Sequence, residues 1–225
     1  IKRLNPDYIF CFGYSKLIKE PILSKYKNKI IGFHPAMLPE NKGRHPIIWS
    51  LALGLKYLAS TFFVINNKKP DDGNVILQKK IFINRNDNAT TIYRKITNTV
   101  KIQIPKLYDI LNKNKILKIK NNLKTNVWRK RSYKDGVIDW RMSSIQIHRL
   151  IKALSHPYPG AVFIYKNKEY KVYSSKILKL KNIHNIEFGK VLKADKTNVT
   201  VKTGDSAIQI KNIQPKIKIK TNDYL

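Results

Sequence analysis

Acidic residues are scarce in this chain. It has 14 Asp and Glu against 45 Lys and Arg over 225 residues, a formal net charge of +31. The usual reading of such an imbalance is a polyanion partner. The kind of base present weakens it. Only eight of the 45 are Arg, whose forked donors suit phosphate, and the lysines run through every segment beside abundant Asn and Ile. The charge stays open between a phosphate-rich partner and a compositional bias toward Lys, Asn and Ile.

Cysteine is nearly absent. The single Cys11 excludes an internal disulfide, and its apolar surroundings suggest a core residue in a reducing cytoplasm. No apolar run approaches ~18 residues, which excludes a membrane-spanning helix. Gly-X-Gly-X-X-Gly, a Walker loop and Cys/His metal spacing are all missing, so neither a nucleotide coenzyme nor a metal is indicated. An initiator is missing too: the first residue is Ile1 and the methionines are Met37 and Met142. The chain is therefore expected to be a fragment or a processed product. At 42% hydrophobic it is globular, with length for one large or two small domains.

Residues 7–14 form a continuous apolar run that suits a strand buried on both faces. Ser15 can cap the segment after it, which Pro21 breaks into short pieces. Ile30–Phe33, Ala59–Ile65 and Val75–Ile83 read as further strands, and a helix from Pro46 to about Leu55 lies among them. Asn88 is a good N-cap for a long helix, with Pro105 expected to kink it. Strands alternating with helices argue for a parallel α/β sheet. Residues 113–126, rich in Lys and Asn, read as a linker between 1–112 and 127–225. In the second part Ser143 caps a helix with Ile147, Leu150, Ile151 and Leu154 on one face. Strand candidates follow at 161–165, 169–177, 189–194, 198–202 and 206–210. Several short strands with turns between them suggest a small β-barrel. His156, in a Pro-rich turn, reads as structural; His148 and His184 have no evident partner.

The most informative stretch is 30–49. A short apolar run ends at His34, then comes a loop stiffened by Pro35 and Pro39, then Gly43, then a helix opened by Pro46. A histidine at the carboxyl end of a buried strand sits where open α/β sheets place ligands. On spacing alone it could equally cap a turn.

The order His34-Pro-X-X-Leu38-Pro39-X-X-X-Gly43, with Asp71-Asp72-Gly73 further on, resembles the 10-formyltetrahydrofolate-dependent formyltransferases. Members of that family act on initiator methionyl-tRNA, amino-sugar nucleotides and glycinamide ribonucleotide. Trp128–Trp140 and Pro157-Tyr158-Pro159-Gly160-Ala161 resemble the family's C-terminal, OB-like domain. The resemblance covers nearly the whole chain. It implies a Rossmann-like α/β sheet lacking its first strands, followed by that small domain. Ile9–Phe12 would then be a bare apolar edge, and the chain alone is expected to aggregate without transferring formyl groups.

The resemblance also implies a chemistry. An amine attacks the formyl carbon through a tetrahedral intermediate, which needs a donor for the oxyanion and a route for a proton. His34 takes the place of the family's histidine, and Asp71 that of the aspartate that orients it and favours imidazolium. Pro35, Met37, Leu38, Pro39, Asp72 and Gly73 fall where the folate co-substrate is bound, and Gly43, Arg44 and Trp49 where the acceptor is. The asparagine expected two residues before the histidine is Gly32, and Lys42 stands where an arginine is common. For the acceptor, Trp49 and the Gly43-Arg44-His45-Pro46 run favour an amino-sugar nucleotide. The charge and the C-terminal domain suit initiator tRNA, and Gly32 leaves room for an inactive folate- or RNA-binding remnant.

Overall fold

The computed structural model describes residues 3–14, 16–66, 69–113 and 125–225. It divides into two compact units. The first comprises Ile1–Ile47, Lys56–Ile83 and Tyr93–Lys130, and the second Ile48–Leu55, Asn84–Ile92 and Arg131–Leu225. The second unit thus recruits two short segments from the N-terminal half, and hydrogen bonds explain why. Ser155 Oγ accepts from the Ala89 N–H at 3.2 Å, and Thr90 donates to the His156 carbonyl at 2.5 Å. Lys152 reaches the Arg85 carbonyl at 2.7 Å. Most of the expected linker lies outside the described residues, as does the Ser15 cap.

In the first unit, β1 (Ile9–Cys11), β2 (Ile30–His34), β4 (Tyr57–Val64) and β5 (Val75–Phe82) form one sheet in the order β1-β2-β4-β5. The β1–β2 pair is parallel, while β2–β4 and β4–β5 are antiparallel. The α/β class is as expected, but the sheet is mixed, because β4 and β5 are joined directly and not by a crossover helix. β4 is buried from Leu58 to Val64, as its aromatic and β-branched composition demands.

Alternation along the strands divides the sheet's faces. Ile31, Phe62, Val64 and Ile76 pack with Leu107 and Leu111 of the long helix α3 (Ala89–Asn112). Ile30, Gly32 and His34 point the other way; there Leu23 and Tyr26, from the short helix α1 (Ile22–Lys25) and its C-cap, pack on Ile30. Asn88 caps α3 by accepting the Thr91 N–H at 3.0 Å, and the helix continues through Pro105. Gln103 fastens it to β4, its side chain bonded to the Ser60 hydroxyl at 2.5 Å.

β1 is not buried on both faces, as its apolar run suggested, but is an apolar edge, as the resemblance implied. Only three residues pair, and Phe10 and Phe12 are 52% and 47% exposed. It is the edge strand of the sheet. Cys11 is accordingly half-buried, with burial raising its thiol pKa.

The second unit is built on β7 (Ala161–Tyr165), β8 (Lys168–Leu178), β9 (Val191–Ala194), β10 (Asn198–Lys202) and β11 (Ala207–Gln214). They form an antiparallel sheet in the order β7-β8-β11-β10-β9. No ladder joins β7 to β9 among the described residues, so the expected barrel is an open sheet here. Lys166 and Asn167, both at positive φ, turn β7 into β8. Helix α4 (Ser144–Ala153) starts at the Ser143 N-cap with a reciprocal bond to Gln146, and it buries Ile147, Leu150 and Ile151. His156 stacks on Tyr173 with ring centroids 4.5 Å apart.

His148 has a partner after all: its Nδ1 meets Ser175 Oγ at 2.9 Å. Burial, with Lys152 and Arg85 nearby, pushes its pKa down to about 4. An unfolded chain protonates this imidazole near pH ~6.5 and the folded one only near 4, so acid favours unfolding. Stability should therefore fall as pH drops from ~6.5 toward 4, and His148→Gln should flatten that part of a urea-midpoint-versus-pH curve.

Candidate active site

The β2–β4 register sets the site, because it pairs His34 with Thr61 and Gly32 with Phe63. His34 ends β2 and is 5% exposed. Its Nε2 lies 2.9 Å from the Asn41 carbonyl oxygen. A carbonyl only accepts, so Nε2 carries the proton. Its Nδ1 lies 3.6 Å from Asp71 Oδ2. Asp71 comes from the loop between β4 and β5, at φ +53, a strained value for a residue with a side chain. The same Oδ2 accepts the Gly43 N–H at 2.9 Å. Beside them the buried Lys42 pairs with Asp72 Oδ1.

The loop carrying Pro35, Met37, Leu38 and Pro39 is tied to the sheet by polar residues of β4 and β5. Thr61 Oγ1 donates to the Ala36 carbonyl at 2.7 Å. Gln78 Nε2 donates to the Leu38 carbonyl at 3.0 Å and to Thr61 Oγ1 at 2.9 Å. Pro35, Met37 and Pro39 are half-buried, whereas Leu38 is buried against Phe63 and Val75 and anchors the loop. Gly73 is needed for packing, since a Cβ there would meet the Val64 carbonyl oxygen at 1.5 Å. At Gly43, φ is +99 and a Cβ would lie 2.3 Å from the Trp128 carbonyl oxygen. Arg44 is exposed, and its N–H donates to that oxygen at 3.0 Å. Trp49, half-buried on α2 (Pro46–Ala52), falls in the second unit.

Thus the structure brings together His34, Asp71, Asp72 and Gly43. Sequence reasoning missed Asn41, Thr61, Gln78 and the pairing role of Lys42. Thr61 and Ser60 did leave a signal, as polar residues inside an otherwise apolar strand. Among the described residues no group of three His, Cys, Asp or Glu is placed to hold a metal ion.

Gly32 has a steric explanation. A Cβ built there would lie 2.7 Å from Phe63 Cζ and 3.0 Å from Ile65 Cδ1. The Phe63 ring fills the space that a side chain at position 32 would need. Gly32→Asn should therefore cost about 1–3 kcal/mol in urea unfolding, as overpacking does. Adding Phe63→Ala should make the double variant less destabilised than the two single costs sum to, by more than ~0.5 kcal/mol. Strict additivity would mean that the ring does not exclude the asparagine.

A profile described as formyl transferase matches residues 1–107, and one described as formyl transferase, C-terminal domain, matches 130–225. Methionyl-tRNA formyltransferase of Caldicellulosiruptor saccharolyticus is 32% identical over 216 residues, which cover 95% of this chain and 68% of that protein. The structure of methionyl-tRNA formyltransferase from Clostridium thermocellum superposes with a TM-score of 0.66 at 19% identity, covering 90% of this chain and 81% of that one. An N-formyltransferase from Helicobacter canadensis, solved with folinic acid and dTDP-3-aminofucose, gives a TM-score of 0.69 at 19% identity, covering 90% and 72%. At that identity the structures speak for the fold alone.

Proposed function

The chain belongs to the formyltransferase family, and from that premise we propose that it transfers the formyl group of 10-formyltetrahydrofolate to a primary amine, with His34 and Asp71 as the catalytic pair. The attacking nitrogen forms a bond to the formyl carbon, the carbonyl oxygen takes up negative charge, and the bond to N10 of the folate then breaks. A proton leaves the amine and one arrives at N10, and the Asp71 carboxylate beside His34 is placed to carry it. The imidazole offers its Nε2–H to the oxyanion. Its Nε2–H is held by the Asn41 carbonyl in the resting structure, so a bound formyl oxygen must share or take over that bond. Position 32 contributes no side chain to the oxyanion. The loop 35–39 is the segment we assign to the folate, with Asp72 held by Lys42 at its edge. Residues 1–112, 113–126 and 127–225 serve in this reading as catalytic part, linker and C-terminal domain, working in the cytoplasm, where Cys11 stays reduced.

Of the two acceptors in competition, initiator methionyl-tRNA is the one we favour. One observation supports it: the match to a methionyl-tRNA formyltransferase reaches 32% identity over 95% of this chain, whereas the Helicobacter canadensis N-formyltransferase, covering 90%, is 19% identical. The net charge of +31 suits an RNA acceptor, whose phosphates need cations over a wide surface. The second reading, an amino-sugar nucleotide, keeps its support in Trp49 and the Gly43-Arg44-His45-Pro46 run.

Incubation of the full-length protein with labelled 10-formyltetrahydrofolate and each acceptor in turn separates the two. Label should appear on methionyl-tRNA, and its appearance on a dideoxy-amino sugar nucleotide alone would reverse the ranking. His34→Ala should lower turnover by ~10²–10³, as loss of an oxyanion donor does, with folate affinity nearly unchanged. Full turnover in that variant would remove His34 from the mechanism.

A further inference from the structure

We propose that the two-residue strand β6 (Val127–Trp128), together with Asn126 ahead of it, is the positioning element of the His34–Asp71 pair. This rests on reading that pair as catalytic. The loop 41–43 supplies one hydrogen bond to each member: the Asn41 carbonyl to His34 Nε2–H, and the Gly43 N–H to Asp71, both at 2.9 Å. Its own backbone leaves the regular regions, with Asn41 at φ +61, Gly43 at +99 and His45 at +55, the last a strained value for a residue of its size. Something outside the loop must hold it.

The backbone donors show what does. The Asn41 N–H donates to Asn126 Oδ1 at 2.8 Å, and Asn126 Nδ2 returns a bond to Asn41 Oδ1 at 2.9 Å. The Lys42 N–H donates to the Asn126 carbonyl at 3.2 Å, and the Arg44 N–H to the Trp128 carbonyl at 3.0 Å. Of four successive N–H groups, the 126–128 segment takes those of 41, 42 and 44, and Asp71 takes that of 43. Strand β3 (Lys42–Gly43) pairs with Val127 and Trp128 in parallel register, an approach only glycine permits at position 43. Without this strap the Asn41 carbonyl is not fixed, and neither is the tautomer of His34.

Three variants test it in the full chain. Asn126→Ala removes both side-chain bonds to Asn41 at an exposed site, so the fold is retained. Asn126→Asp keeps the acceptor for the Asn41 N–H, replaces the donor by a charged acceptor, and leaves the Asn41 amide to turn over and donate in its place. Gly43→Ala pushes the strand away from the loop. The first readout, independent of activity, is 15N NMR of the His34 ring. Wild type should show one tautomer protonated at Nε2, Asn126→Ala and Gly43→Ala a mixture, and Asn126→Asp a ring close to wild type. The second readout is formyl transfer: in Asn126→Ala kcat should fall ~10-fold, since small misplacement of a catalytic group is costly, with KM for the acceptor within about twofold. Ring signals unchanged in both Asn126→Ala and Gly43→Ala would overturn the assignment, and so would an altered ring with undiminished kcat. If wild type transfers nothing while the ring still responds to Asn126→Ala, the proposed activity fails and the strap remains.

Discussion

A buried imidazole held between a carbonyl oxygen and a carboxylate oxygen is the constraint that the first unit is built to satisfy. Burying that ring requires a fixed partner for each nitrogen, because an unpaired polar group away from water costs on the order of 1–3 kcal/mol. Asn41 accepts from Nε2–H, and the Asp71 carboxylate stands 3.6 Å from Nδ1, where it pairs with the ring once that nitrogen is protonated; both residues stand at positive φ. Neither conformation is stable by itself. Each is held by hydrogen bonds from elsewhere: the 126–128 segment on one side, and on the other the Gly43 N–H and the turn closed between Val64 and Asn74. Strain at the site is thus carried by ordered surroundings.

The polar residues inside the sheet follow the same logic. Thr61, Gln78, Ser60 and Gln103 would be errors in a purely apolar core. Thr61 and Gln78 hold the loop that follows His34, and Ser60 with Gln103 locks α3 to the central strand. Lys42 is buried with Asp72 as its counter-ion. A buried pair of this kind adds little net stability and fixes geometry, here the spacing between the loop 41–44 and the turn at 71–73.

Gly32 and Phe63 show how one substitution alters what its neighbour can be. The two residues face each other across β2 and β4, and the ring occupies the volume above the glycine. An asparagine at position 32 would therefore have to displace the Phe63 ring and the Ile65 side chain. Under the proposed reaction no side chain at position 32 reaches the oxyanion, so the alignment of His34 with Asp71 matters more.

Much of this was legible in the chain itself. The apolar runs and caps located β2, β4, β5, α3, α4 and the strands of the second unit, because those elements form from local pattern and are then only reinforced by packing. The His34 loop and Asp71-Asp72-Gly73 marked the site, since residues with special chemistry and special backbone needs are written plainly. What the sequence could not decide are matters of long-range pairing. The antiparallel pairing of β4 with β2 and β5 and the open second sheet depend on which strand finds which neighbour. That Phe63 covers Gly32 follows from register, which a one-residue shift would reverse. The bond from Asn41 to Asn126 spans 85 positions, and nothing local to either asparagine announces the other. Tertiary structure alone brought them together, because a hydrogen bond between distant residues is determined by the packing of everything between them.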